Sequence, residues 1–309
     1  MRHGVLSLAA AALLAAPSLA AQKVHVLIIT GLAGEPQYGN AFRAEAAILA
    51  DSARRKWGVA DSSLIVLGED PAADRKHITG TSTKDEVGKA FLQLSRRVVA
   101  GDVVLVFLDG HGAGEGLSSR VNLPGPDPTA SDYATWIAGF SAQKVVFVNA
   151  ASGSGDFGPA LAGKNRVIVT ATKTALEKNA VTFAIPFVTG LVGAADADKD
   201  DRVSVFEAVE FAKKEVARIY DGDKRMLTEH ATVSDTALAR AISFGAPRGA
   251  VDPRVVALTN ERQALESQVA ALRARKATTD STTYANELER LVLLIAEKSA
   301  AIRAAGGKP

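Results

Sequence analysis

Residues Lys144 to Gly155 read KVVFVNAASGSG. Val145 to Val148 is a continuous apolar run, largely β-branched, the pattern of a strand buried on both faces of a parallel sheet. It gives way abruptly to Asn149-Ala150-Ala151-Ser152-Gly153-Ser154-Gly155, which is small, polar and glycine-containing. The backbone must turn there, at the carboxyl end of the strand, where open α/β sheets hold their ligand crevices. A second run of the same kind, Val103 to Leu108, breaks into Asp109-Gly110-His111-Gly112-Ala113-Gly114. If the two strands are neighbours, His111 faces the turn at Ala151 and Ser152.

Working outward, Val24 to Thr30 reads as a first strand and Leu64 to Leu67 as a second. Phe42, Ala46, Leu49 and Ala53 recur at helical spacing and predict a helix from Tyr38 to Trp57, stopped by Gly58. Thr83 and Glu86 stand at capping-box spacing before a helix that continues through Val98. A helix over Ser131 to Phe140 and a fifth strand over Val167 to Ala171 complete the alternation. It predicts an α/β domain with a mostly parallel sheet, right-handed crossovers and flanking helices. Pro124, Pro126 and Pro128 make the connection between the two key strands a rigid loop at the crevice mouth. His77 falls in a polar loop and reads as a surface residue, and His230 beside Glu229 as a surface or structural one.

From Ala246 the texture changes. A Gly/Pro linker precedes apolar residues on a three-four spacing from Val255 to Leu272, and the pattern repeats from Leu288 to Ile302 after a polar loop. These two stretches predict a C-terminal antiparallel helical hairpin. Its apolar stripes could pack within the hairpin, on the first domain or on another copy of the chain, so self-association through it is one expected mode.

A buried strand ending in His-Gly, followed about forty residues later by a buried strand ending in a small tripeptide and glycine, resembles the caspase-like and legumain-like cysteine peptidases, the gingipains among them. The resemblance spans roughly Val24 to Phe244 and implies the caspase-haemoglobinase-like fold. The caspase form Gln-Ala-Cys-x-Gly lies over Asn149 to Gly153, so His111 takes the position of the catalytic His and Ala151 that of the nucleophilic Cys. The chain contains no Cys. A methyl group cannot attack a carbonyl, so the resemblance implies the family's fold without its reaction. Ser152 is an alternative nucleophile, but one residue further along the turn its side chain is expected to point away from His111.

Arg2 and His3, an apolar run from Val5 to Ala16, and small residues at Ser18 and Ala20 have the three-part layout of a secretory signal peptide. The expected organisation is a signal peptide over residues 1–20, the α/β domain over 22–245, and the linker and hairpin over 246–309. An exported protein, periplasmic or secreted, follows, with no membrane span in its mature chain. Lys plus Arg number 36 against 34 for Asp plus Glu, a balance that makes no electrostatic case for nucleic acid.

Asp196, Asp198, Asp200, Arg202 and Glu207 stand at the first, third, fifth, seventh and twelfth places of an EF-hand-like loop, Arg202 through its carbonyl, and predict weak Ca²⁺ binding. The departure is Asp201 at the place of the usual glycine, and the other reading is an acidic turn with a Ser204–Glu207 capping box. Similar acidic loops accompany bacterial caspase-like proteins. Three functional expectations follow: a non-catalytic pseudopeptidase that binds a peptide or protein, a hydrolase using Ser152 with His111, and a scaffold acting through the hairpin.

Overall fold

A computed structural model describes residues 22–197, 199–246 and 253–306. The proposed signal peptide and most of the linker lie outside these residues. In chain order the first half contains β1 (Val24–Thr30), α1 (Pro36–Arg55), β2 (Leu64–Gly68), β3 (Gly80–Thr81), α2 (Lys84–Ser95), β4 (Val103–Asp109), β5 (Gly112–Ala113), β6 (Arg120–Val121) and α3 (Ala130–Ile137). Then come β7 (Lys144–Asn149), α4 (Phe157–Leu161), β8 (Arg166–Thr170), α5 (Ala184–Thr189), β9 (Arg202–Ser204), α6 (Val205–Gly222), β10 (Thr232–Val233), α7 (Thr236–Ala241) and β11 (Ser243–Gly245). The last two helices are α8 (Pro253–Ala274) and α9 (Ser281–Ala304).

The main sheet has the order β10-β8-β7-β4-β1-β2-β3 and is parallel except for β10. The two runs singled out in the sequence are adjacent: β4 pairs with β7 from Val103 opposite Lys144 to Leu108 opposite Asn149. On its other side β4 pairs with β1, ending at Thr30 opposite Asp109. Side chains alternate across the sheet. Val26, Ile28, Leu105, Phe107, Val146 and Val148 pack under α1, α5 and α6. Their neighbours Leu27, Ile29, Val104, Val106, Val145 and Phe147 pack under α2, α3 and α4. Burying each such side chain is worth about 2 kcal/mol, which is why strands whose middle stretches are wholly apolar form the centre.

Several elements differ from the sequence reading. β3 and β10 have two residues each, too short to carry a period. The small β9–β11 pair was equally silent; it seats Phe244 against Trp57 at 4.8 Å between ring centroids. Thr83 accepts from Glu86 N, but the Glu86 carboxylate turns to Lys89 instead of closing the box. Thr129 and Asp132 form a full capping box on α3. α8 and α9 pack as the expected hairpin through Val269, Leu272 and Leu291.

His77 is not a surface residue. It is 7% exposed and bridges two carboxylates, Nδ1 at 2.6 Å from Asp74 and Nε2 at 3.3 Å from Asp51 of α1. Burial draws both carboxyls upward, but the His77 hydrogen bonds and the positive charges of His77, Arg55 and Lys76 outweigh it and hold both below the usual range. A carboxyl depressed in the folded state stabilises fully above its unfolded pKa, near 3.9, and loses that contribution as the pH falls through the folded value. Asp74→Asn should therefore cost about 1 kcal/mol at pH 7. Urea titrations at pH 7 and pH 3 should show that difference shrinking at the lower pH.

Candidate functional site

The parallel strands deliver their carboxyl ends to one edge, and a cavity of about 350 Å³ opens there on the α1 side of the sheet. Tyr38, Phe42, Val181, Ile185 and Ile219 supply apolar walls. His111 and Ser152 border it, and Glu45 and Asp109 form its buried end.

His111 follows the last residues of β4 and lies against α1, its ring edge-on to Tyr38 at 4.7 Å and 89° and 5.6 Å from Phe42. Its Nε2 is 3.1 Å from the Ala33 carbonyl. A carbonyl only accepts, so Nε2 carries the proton and Nδ1 is the basic nitrogen of the neutral ring. Gly112 N donates to Ser152 Oγ at 3.3 Å. A Cβ on Gly112 would overlap the Ser152 carbonyl, so the two turns approach at a distance only glycine permits.

Ala151, over which the Cys position was laid, is 0% exposed and packs in the cluster on the far face of the sheet. Ser152 is among the residues that line the cavity with His111, and its Oγ is engaged by the Gly112 amide. The alternation of side chains accounts for the difference: as β7 ends, Ala150 joins the α1 side and Ala151 the opposite one.

Glu45 and Asp109 were not foreseen. Glu45 is 6% and Asp109 2% exposed. Glu45 Oε2 and Asp109 Oδ2 meet no N–H or O–H donor among the described residues. Burial raises Glu45, the hydrogen bond with Asp109 opposing it, and raises Asp109 strongly, with the Glu45 charge and hydrogen bond adding to the rise. Two touching buried carboxyls cannot both ionise, and one proton held between them supplies the missing donor. A carboxyl on the core-facing side of α1, between Phe42 and Ala46, was the available signal in the sequence.

The wall opposite α1 is tied down by two other carboxylates. Buried Glu229 accepts from Thr182 N at 2.8 Å, Thr182 Oγ1 at 2.5 Å and Phe183 N at 3.1 Å. Glu177 holds His230 Nδ1 at 3.0 Å, and its carbonyl accepts from Gly153 N at 2.8 Å. His230 is thus an exposed residue tied to Glu177, within the surface or structural reading of the sequence.

Away from the cavity, the acidic loop has part of the form a calcium loop requires. Asp196 accepts from Asp200 N at 3.1 Å and from Asp201 N at 3.0 Å. Asp201 has φ 63°, the left-handed conformation that glycine ordinarily supplies at the sixth place. Glu207, however, is engaged in a capping box, its Oε2 2.8 Å from Ser204 N. Asp198 lies outside the described residues. Among those described, no three His, Asp or Glu side chains converge on a metal position.

No protein-family model matches this chain, and no curated protein does. Among solved structures, the crystal structure of protein GSU0716 from Geobacter sulfurreducens is 12% identical over 73% of this chain and 95% of that one, at a TM-score of 0.43.

A carboxyl raised in the folded state contributes stability present below its unfolded pKa and lost as the pH rises through the folded value. Asp109→Asn removes one of the two charges that must be kept protonated. Its melting temperature should exceed that of the unaltered protein at pH 8, and the two should converge toward pH 4.

Proposed function

We propose that this chain is an exported, non-catalytic protein of caspase-like and legumain-like architecture that binds a peptide segment of a protein partner at the carboxyl edge of its sheet. The observation that carries this reading is a largely apolar cavity beside His111, at a strand end that has no thiol and where Ala151 is closed off in the core. Leu117, Leu176 and Ile185 stand 62%, 75% and 38% exposed on segments around the same edge. Apolar side chains bordering an apolar cavity suit a polypeptide ligand better than a small polar one.

One observation favours the second reading, hydrolysis by Ser152: Ser152, not Ala151, is among the residues that line the cavity with His111. The base is oriented by the Ala33 carbonyl. A neutral carbonyl gives an imidazolium far less stabilisation than a carboxylate, and a hydroxyl needs more activation than a thiol. Binding without turnover is therefore the favoured reading. A peptide library incubated with the full chain should yield bound but uncleaved sequences. Turnover that disappears in both Ser152→Ala and His111→Ala would establish the hydrolase instead.

The acidic loop is proposed to take Ca²⁺ weakly, at the cost of drawing Glu207 off its cap. A ligand bound only by the folded state stabilises it by mass action. The protein should melt higher in millimolar Ca²⁺ than in chelator, with a smaller effect from Mg²⁺, which needs a tighter octahedron. Asp196→Asn combined with Glu207→Gln should remove the shift. No shift in the unaltered protein at several millimolar Ca²⁺ leaves the loop as an acidic turn with a capped helix.

A further inference from the structure

Basic and acidic residues nearly cancel over the whole chain, but they are sorted in space. β1, β4, β7 and β8 all begin at the edge of the sheet opposite the cavity, Val24 beside Val103, Val103 beside Lys144 and Val145 beside Arg166. The chain reaches these strands through residues 22–23, 96–102, 138–143 and 162–165. Together with the strand starts, these connections bring Lys23, Arg96, Arg97, Lys144, Lys164 and Arg166 to the amino edge, and a single acid, Asp102. Asp102 is 3% exposed and engaged beneath the surface, accepting from Val99 N at 3.0 Å and Lys23 N at 3.2 Å and paired with His25 Nε2 at 3.1 Å. The next connection, before β2, brings Asp61, which pairs with Arg54 at 2.8 Å.

Part of this set has a structural reason. Arg166 donates to the Leu161 and Ile137 carbonyls at the ends of α4 and α3, and Arg97 to the Ser62 carbonyl. Lys23, Arg96, Lys144 and Lys164 have no side-chain partner among the described residues. A helix dipole accounts for cations in the turn after a helix, but Lys23 and Lys144 stand at strand starts. The four strands set the cations over a width of about 14 Å, at about 4.8 Å per strand. Like charges side by side repel, so the array suits an anionic counterpart of the same breadth. Val99 lies among them, apolar and 58% exposed.

The chain also enters the domain here. Gln22 Nε2 donates to the Gly101 carbonyl at 2.9 Å, beside Val99, and the 21 residues before Gln22 contain the apolar run from Val5 to Ala16. A leader that engages a bilayer leaves this edge facing it. Resting on the exported state in the proposed function, we infer that the amino edge, on the side covered by α2, α3 and α4, docks on the anionic phospholipid headgroups of a membrane. The cations lie over the phosphates and Val99 enters the interface. The acidic loop sets the tilt: Lys56 after α1 donates to the Val192 carbonyl, so the carboxylates that follow from Asp196 lie toward the α1 side and away from the headgroups.

The test is co-sedimentation of the chain from Ala21 onward with phosphatidylcholine vesicles, with and without 30% phosphatidylglycerol. Each cation near such a surface is worth about fivefold in partitioning. We expect at least tenfold stronger binding to the anionic vesicles, lost in 0.5 M NaCl. Lys23→Gln, Arg96→Gln, Lys144→Gln and Lys164→Gln combined should weaken it at least twentyfold, whereas Lys173→Gln, Lys178→Gln, Lys213→Gln and Lys214→Gln combined, the same change in charge elsewhere, should weaken it less than threefold. The chain has no Cys, so Val99→Cys and Leu176→Cys each give one site for a polarity-sensitive dye. Emission should rise on anionic vesicles at residue 99 and not at 176, a reading that does not depend on the fourfold variant folding. Equal binding to neutral and anionic vesicles overturns the inference, as does equal weakening by the two variant sets or a response at residue 176 alone. Binding of poly-glutamate without vesicle binding assigns the edge to an acidic polypeptide and likewise overturns it. Failure to bind vesicles by a chain that fractionation shows to be exported sinks this inference alone. Vesicle binding by a chain that fractionates with the cytoplasm sinks the exported state and leaves the docking surface.

Discussion

β4 lies between β1 and β7 and is buried along its whole length from Val103 to Asp109. Every feature of the cavity depends on that placement. Because the three strands run in parallel and in register, Thr30, Asp109 and Asn149 reach the same edge together. Parallel neighbours leave the strand no solvent side, so a polar residue at its last position must find its environment inside the protein. Asp109 has the parity of Leu105 and Phe107 and meets the helix that covers them. Two residues later the chain has left the sheet, and His111 stands at the cavity wall, its tautomer set by the Ala33 carbonyl that follows β1.

The encounter of Asp109 with Glu45 runs against the rule that satisfies every other buried carboxylate at this end of the molecule. Glu229 is as buried, yet it is surrounded by donors from Thr182 and Phe183 and can remain a plain carboxylate. Glu45 and Asp109 have little but each other and the Gly110 amide, which donates to Asp109 Oδ1 at 2.9 Å. Proteins tend to break local rules of polar satisfaction where a site requires it and to recover the stability elsewhere. Here the surrounding core is large enough to do so: both faces of the central strands are filled.

Glu229 and Glu177 act on the far wall. Together they bind the segment after β8 to the chain between α6 and β10, and through the Glu177 carbonyl to the turn after Ser152. The backbone of Gly155 lies so close to Lys173 that a Cβ there would collide with it. A wall held this way is preorganised, so a ligand need not order it on binding.

Period and composition were enough to reveal the sheet centre, the helices above it and the C-terminal hairpin, since a buried parallel strand and an amphipathic helix each leave a repeating trace. The edge strands left none, being two residues long. His111 was legible because a buried strand that breaks into Gly-His-Gly sets an ionisable ring at the carboxyl edge of the sheet, where ligands bind. Which of Ala151 and Ser152 enters the cavity was not legible, because a turn has no period, and one residue of shift moves a side chain to the other face. Glu45 stands among the apolar residues of α1 with no local partner to mark it, and His77 reads as a loop residue. The sequence by itself determined the central strands, the main helices that cover them and the hairpin, and that no thiol exists to act. Only the tertiary structure decided that Glu45 and Asp109 meet, because that contact joins residues 64 positions apart through the packing of a helix on a sheet, and no local pattern encodes such a distance.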